Sequence, residues 1–515
     1  MKKRLLIFII ASLAVFAASA ATERILRPSA RQIADALILP ETADISPDYA
    51  DTVIPPNIAP LNFRIEEQAR RYFVRIRSDN GAPIHILSAD PSIRIPIRKW
   101  RKLLRANPGG TLTCDIFLYQ ARRWSRARTI TNTIAPEPID SHIAYRLINP
   151  IYNYWNSVAV YQRDLTNFKQ SEILHGQRFD NGCVNCHTFL NNDPSRMFLG
   201  VRSADYGSAT LHTPAADRAE KIGAKWGYTA WHPSGQIAAY SINATHLFFQ
   251  AAGMEVRDVI DLDSVMTYYD LRTRTVKTAP PLSDKDRLEI YPAWSPDGKY
   301  LYFCSAPILW TDRKTVPPKE FAEVRYDLHR IAYDLDSDTW GSLETILSAD
   351  QTGKSILLPR VTPDGRFLVF TLCDYGCFPI YQKSSTLCVM DLADNSWRKL
   401  DINSDYSESW HSFSSNSRWM AFSSRRHAGL FTRTYFSYID HDGKFHKPFV
   451  LPQKDPAFYD SQIKTYNVPE LIAAPVTVSP RKLAKIVKSP AQVDVQLPIT
   501  GATPKTDPAQ YPERE

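Results

Sequence analysis

The residues with the strongest chemical signature are Cys183-Val184-Asn185-Cys186-His187. Two thiols three positions apart, followed at once by an imidazole, form the C-x-x-C-H pattern of covalent haem attachment. On a helical turn that spacing brings both thiols to one side, where they would add to the two haem vinyl groups. The imidazole of His187 would then lie under the ring as the proximal iron ligand. The pattern therefore predicts one covalent haem c on Cys183, Cys186 and His187. Two other chemistries use parts of the same motif. A thioredoxin-like redox pair wants a strand before it and a helix after it in a βαβ unit, and neither flank reads that way. A structural zinc site needs two further ligands. Cys373 and Cys377 are available, but they lie far along the chain and are spaced C-x-x-x-C.

The second axial ligand would decide between electron transfer and catalysis. Met197 is the leading distal candidate, because the 10 residues after His187 leave enough chain to cross a haem face. The plainer reading makes Met197 a core residue at the start of a strand. His175 and His212 are further candidates, each also readable as an ordinary polar residue. A Met ligand raises the potential and suits an electron carrier, whereas an open distal position suits peroxidase-like or nitrogen-oxide chemistry. Cys114, Cys304, Cys373, Cys377 and Cys388 remain, and in an oxidising compartment they are expected to pair, with at least one left over. No Ser-His-Asp arrangement, phosphate-binding glycine loop or paired-carboxylate motif stands out.

The compartment is read from the start of the chain. Lys2, Lys3 and Arg4 precede the apolar stretch Leu5–Phe16, and Ala18-Ser19-Ala20 supplies a small-residue cleavage pattern. This predicts a signal peptide over 1–20, Sec export and a periplasmic mature chain; the alternative is an uncleaved membrane anchor. The apolar run is shorter than the ~20 residues a spanning helix needs. A net charge of +8 is modest for 515 residues, and export argues against a nucleic-acid partner. Much of the excess sits in Arg98, Lys99, Arg101, Lys102 and Arg105, then Arg122, Arg123, Arg126 and Arg128. That is either a solvated basic face or a patch for an acidic protein or peripheral membrane contact.

The elements that must position these residues are mostly strands. With 37 Pro against 19 Gly, and 25 Tyr and 23 Phe, the composition suits short strands between rigid turns. Residues 21–54 read as a lead-in. Residues 55–136 read as a β-sandwich-like domain with strands near Tyr72–Ile76, Pro83–Leu87, Thr111–Leu118 and Thr129–Ile134, and a short helix near Trp100–Ala106. Residues 137–194 read as a connector carrying the haem motif, and 472–515 as a disordered tail. Over 195–471 one turn recurs: Ala230-Trp231-His232-Pro233-Ser234-Gly235, Ala293-Trp294-Ser295-Pro296-Asp297-Gly298, Arg360-Val361-Thr362-Pro363-Asp364-Gly365 and Ser412-Phe413-Ser414-Ser415-Asn416-Ser417. Each runs into an apolar strand. Ser-Pro-Asp-Gly fits a type I turn, with Pro fixing φ and Gly relieving the exit. The recurrence predicts a β-propeller of about five or six blades. His232, Glu289, Trp410 and His411 lie beside these turns, where they either line a channel mouth or simply pack the turns.

These turns resemble the blades of TolB-type β-propellers, whose signature is Trp-Ser-Pro-Asp-Gly before an apolar strand. The second and third segments match best, and the fourth has lost Pro and Gly. The larger block also resembles a family of exported Bacteroidetes proteins in which an Asn-Cys-His motif precedes a TolB-like propeller. The residues that carry this resemblance are Tyr145–Pro150, Tyr161-Gln162-Arg163, Cys183–Phe189, Asp374–Pro379 and Tyr466–Leu471. It implies haem attachment, and a Met near the place of Met197. The sequence thus predicts a mostly β, periplasmic single-haem c-type cytochrome. Its propeller would dock redox or envelope proteins, a role that rests on analogy. One alternative is a TolB-like envelope adaptor with a structural or sensing haem; another is a haem enzyme with an open distal site.

Overall fold

A computed structural model describes residues 27–149, 158–223, 226–249, 257–312, 315–427, 429–493 and 495. The expected signal peptide over 1–20 lies outside them. The chain divides into two units, Met1–Pro138 with Pro452–Gln462, and Ile139–Leu451 with Ile463–Glu515.

The first unit holds a sheet of seven strands and a smaller one of three. Thr111–Gln120 is the hub of the larger sheet, pairing with Arg71–Arg77, Arg123–Arg128 and Ile130–Ile134. The lead-in is more structured than its composition implied: Leu37–Thr42 and Val53–Ile54 join this sheet as parallel edge strands. Helix Ile97–Arg105 forms because Trp100, Leu103 and Leu104 recur on one face and are buried. Trp100 Nε1 donates to the Ile58 carbonyl at 3.0 Å. Arg98, Lys99, Lys102 and Arg105 stay exposed on the helix. Residues 452–462 are tied into the unit by Asn62, whose amide donates to the carbonyls of Gln453 and Lys454.

The second unit is a six-bladed β-propeller. Six four-stranded antiparallel sheets follow one another, and five take consecutive strands running outward from the axis. Blade 2 starts at Cys183–Leu190, blade 3 at Gly227–Trp231, blade 4 at Arg287–Trp294, blade 5 at Ser355–Val361 and blade 6 at Glu408–Phe413. Blade 1 is built from both ends of the unit. His142–Ile148, Ala159–Asp164 and Gln170–His175 supply its outer three strands, and Thr465–Ile472 adds the inner one, antiparallel to His142–Ile148. The propeller strands therefore begin at His142, within the segment expected to be a connector. The core lies between successive blades. Met197 and Leu199 face blade 1 residues Ile173 and Leu174, while their strand neighbour Phe198 packs on Trp226, Trp231 and Tyr240 of blade 3.

The recurrent turns do what their residue types require. Ser295 Oγ donates to Asp297 Oδ1 at 2.6 Å and accepts the Tyr300 N–H at 3.0 Å. Thr362 and Asp364 repeat the pattern in blade 5. Where Gly is missing in blade 6, Ser417 takes φ +61° itself. Gly298 has φ +74°, and a Cβ there would stand 2.5 Å from His232 Nε2. Gly298→Ala is therefore expected to lower stability by about 1–3 kcal/mol, read as a shift in the urea midpoint.

Part of the segment expected to be a disordered tail, residues 473–493, is folded, and the rest of it lies outside the described residues apart from residue 495. Ser479 caps helix Pro480–Lys488, whose Leu483, Ala484 and Val487 are buried against blades 1 and 2. Val493 then bridges to Ile222. Short apolar spacing inside a Pro- and Lys-rich stretch hid this helix. Among the described residues no helix is long and apolar enough to cross a membrane.

Candidate functional site

The six inner strands share one irregularity. In each, the register against the second strand slips by one residue, between Asn185 and His187, Gly227 and Ala230, Ile290 and Ala293, Leu357 and Arg360, Ser409 and Ser412, and Asn467 and Glu470. At each slip one residue has left-handed backbone: Cys186 (φ 54°), Tyr228 (50°), Tyr291 (56°), Leu358 (55°), Trp410 (50°) and Val468 (49°). A bulge of this kind re-aims side chains. Non-glycine residues at positive φ cost about 1–3 kcal/mol each, and such strain collects at functional sites. The repeat makes the lining of the axial channel the candidate site.

Cys186 belongs to this ring. The motif Cys183–His187 is thus not a helical turn but the inner strand of blade 2. Its placement decides how it could hold a haem. Cys183 pairs with Arg202 and His187 with Leu199. Paired residues share a face of the sheet, and residues three apart on one strand do not. Cys183 and His187 therefore leave opposite faces of blade 2. As folded, the three groups do not fit a porphyrin held by both thiols and the imidazole together. Met197 lies in the second strand, fully buried among apolar side chains, with its N–H donating to Thr213 Oγ1 at 2.7 Å. That is a core position. His175 Nδ1 accepts the Gln177 N–H, and His212 Nδ1 meets Glu220 at 2.7 Å.

Around the ring, Tyr228 and Tyr291 pack with tilted rings 4.2 Å apart, and Tyr291 meets Trp410 edge-on at 5.8 Å. Tyr291 Oη donates to the Cys377 carbonyl at 2.6 Å. Behind them Asp261 is buried, its Oδ1 accepting from Asn243 at 2.9 Å and its Oδ2 without a partner among the described residues. Burial pushes its carboxyl up to about 7, partly offset by Asn243 and Cys377. A raised acid means that the folded chain binds more protons than the unfolded one between pH ~4 and ~7, so this contribution to stability falls as pH rises through that window. Asp261→Asn is expected to stabilise by roughly 1–3 kcal/mol at pH 8 and by little at pH 4. Urea unfolding at the two pH values checks this.

Just past the bulges, four polar residues on successive blades come together. His187, Glu470, His411 and Arg360 stand on the inner strands of blades 2, 1, 6 and 5. Both ring nitrogens of His187 are buried and neither makes a well-aligned hydrogen bond among the described residues, although the Val468 backbone lies close enough to favour its protonated form. Burial, then the positive charges of Arg146 and Arg360, hold this imidazole down at about 3. His411 is likewise held at about 3, mainly by burial, and its Nε2 donates to the Val369 carbonyl at 2.9 Å. Glu470 Oε1 accepts the Phe189 N–H at 3.1 Å and Thr188 Oγ1 at 3.3 Å, and burial raises its carboxyl against the pull of Arg360.

His411 and Trp410 are thus channel residues, as is Glu289, buried on the inner strand of blade 4 with Oε1 accepting the Asp284 N–H. His232 instead braces the blade 4 turn, 3.1 Å from the Gly298 carbonyl. All seven cysteines are free, so the expected disulfides do not form, and only Cys186 is not fully buried. Burial drives the thiols of Cys114 and Cys388 up to about 12. Among the described residues no group of three or more His, Cys, Asp and Glu side chains is placed to hold a metal ion. Arg146, Arg360, Glu470 and Asp261 were missed from the sequence. Aligning Cys186-His187-Thr188-Phe189 with Trp410-His411-Ser412-Phe413, Leu358-Pro359-Arg360-Val361 and Val468-Pro469-Glu470-Leu471 would have found two of them, Arg360 and Glu470.

The fold and the site define a six-bladed β-propeller with a polar axial channel, closed by its C-terminal strand. No protein-family model matches the sequence, and no curated protein matches it. Among solved structures the chain is similar to TolB from Acinetobacter baumannii, at 14% identity and TM-score 0.40 over 83% of this chain and 98% of that one. It is also similar to hydrazine synthase from Kuenenia stuttgartiensis, at 13% identity and TM-score 0.30 over 55% and 71%. The Dos1 propeller matches at 13% identity and TM-score 0.30 over 53% and 62%.

Proposed function

We propose that the chain is an exported, TolB-like propeller scaffold of the cell envelope, a binding module that acts through its axial channel. The observation that carries this reading is the ring of six left-handed residues, three of them the aromatics Tyr228, Tyr291 and Trp410. Aromatic side chains on a rigid frame are the commonest anchors of recognition. A photo-reactive amino acid at Thr229, beside the ring, should give a discrete cross-linked adduct in living cells. The same probe at Leu343, on the outer edge of blade 4, should give none. Equal labelling from both positions, or none from either, would sink the reading.

A second reading, a single-haem periplasmic electron carrier, is favoured by the C-x-x-C-H order and by the two nitrogens of His187, neither in a well-aligned hydrogen bond among the described residues, beside the half-exposed Cys186. It requires the inner strand of blade 2 to re-form so that Cys183 and His187 reach one side. Co-expression with the c-type haem maturation machinery tests it. A pyridine haemochrome with both vinyls saturated, lost in Cys186→Ser, supports this reading, and protein without Soret absorbance overturns it.

A further inference from the structure

We propose that the channel region between Arg146, Arg360, His187 and His411 is a binding site for a phosphate group, free or as a phosphomonoester. The inference rests on the channel being the binding surface, as above, and names its ligand class.

The first argument is charge. Arg146 is 8% exposed, yet no acidic side chain pairs with it among the described residues. Its Nη1 donates to the amide oxygen of Asn185, and its Nε has no partner. A buried guanidinium is costly without a counter-charge, and arginine cannot escape by losing its proton. Arg360 has no hydrogen bond or ion pair among the described residues, although it lies within electrostatic reach of His187, His411 and Glu470. Glu470, the carboxylate on which Arg360 acts, has its Oε1 committed to Phe189 and Thr188. Both cations act on His187, and among the described residues neither has a carboxylate paired with it. An anion completes the set.

The second argument is hydrogen-bond polarity. The guanidinium groups of Arg146 and Arg360 and one nitrogen of neutral His187 offer donors. His411 spends its proton on the Val369 carbonyl, so its Nδ1 is a bare acceptor, and it has no partner. Glu470 Oε2 is a second unpartnered acceptor. A fully deprotonated oxyanion such as sulfate satisfies the donors and is repelled by the acceptors. A phosphate that keeps an O–H meets both kinds of group.

Isothermal titration of the full-length protein at pH 6.5 with inorganic phosphate, sodium sulfate and glycerol 3-phosphate tests this. Phosphate is expected to bind at least ~10-fold more tightly than sulfate, because only it donates a proton to His411 or Glu470. Arg360→Gln should weaken phosphate binding at least ~10-fold with an unchanged circular dichroism spectrum. His411→Phe should narrow the preference for phosphate over sulfate. Tighter binding of glycerol 3-phosphate than of phosphate would identify an ester as the ligand, and the reverse the free ion. Equal affinity for phosphate and sulfate, no phosphate binding, or full affinity in folded Arg360→Gln would each overturn the proposal. If Arg360→Gln does not fold, the imidazole resonances of His187 and His411 in the unaltered protein decide, through their shift or constancy on adding phosphate. A silent phosphate titration leaves the scaffold reading to the cross-linking experiment, so the two fail separately.

Discussion

A chain ended at Gln462 is expected to lose the folded propeller, not merely to weaken it. The truncation removes Thr465–Ile472, the inner strand of blade 1. Tyr466, Leu471 and Ile472 are each at most 1% exposed, and the Tyr466 ring packs 4.8 Å from that of Tyr145. Burial of each such side chain is worth about 1.5–3 kcal/mol. The helix carrying Leu483 and Val487 is lost as well, adding a comparable amount. The total approaches or exceeds the ~5–15 kcal/mol by which whole domains are stable. The cut also leaves His142–Ile148 as a bare strand edge, open to pairing with other chains. The expected readouts are loss of a cooperative propeller transition in urea and early elution on size exclusion. A chain ended at Val478 keeps the closing strand and should unfold cooperatively at a lower midpoint. An unchanged midpoint in the Gln462 truncation would show that the ring holds without its closure.

Arg426→Ala is expected to destabilise blade 6 by about 3–5 kcal/mol at pH 8, because it strands a buried carboxylate. Glu408 opens the inner strand with its side chain wholly buried, and Arg426 Nη2 meets its Oε1 at 2.8 Å. Burial raises the Glu408 carboxyl, and Arg426 is the largest influence pulling it back. Without that cation the folded state holds the Glu408 proton to higher pH than the unfolded chain does. The loss should therefore grow as pH rises above ~4.5 and shrink on acidification. Part of the cost at every pH comes from packing, since the guanidinium lies over the rings of Phe422 and Tyr435. Adding Glu408→Gln to Arg426→Ala should recover much of the pH-dependent part. A single variant within 1 kcal/mol of the parent at pH 8 would contradict this account.

The propeller was legible wherever turn chemistry is explicit. Ser295-Pro296-Asp297-Gly298 and Thr362-Pro363-Asp364-Gly365 mark the starts of their second strands closely, because Pro and Gly leave few other conformations. Blade 2 escaped for the converse reason. Its turn is the two-residue Asn191-Asn192, with both residues at positive φ, and it has neither the Pro nor the Gly that marks the turns of blades 3 to 5. Blade 1 escaped because its whole inner strand lies over 300 residues from the strand it pairs with, and no local pattern encodes such a pairing. The candidate site was partly visible in Trp410 and His411. The reading of Cys183–His187 assumed a helical turn, whereas the local sequence continues the blade repeat with Phe189 in the place of Trp294. A five-residue motif carries no information about the secondary structure that holds it, and here the repeat around it decides.

The strand that completes blade 1 is synthesised after the strands of every other blade. Until Thr465–Ile472 has emerged, the nascent polypeptide cannot shut the circle, whatever its earlier blades have done. Contacts of such long sequence separation form late and slowly. The order of translation therefore keeps the ring open until the strands of the other five blades have all been made.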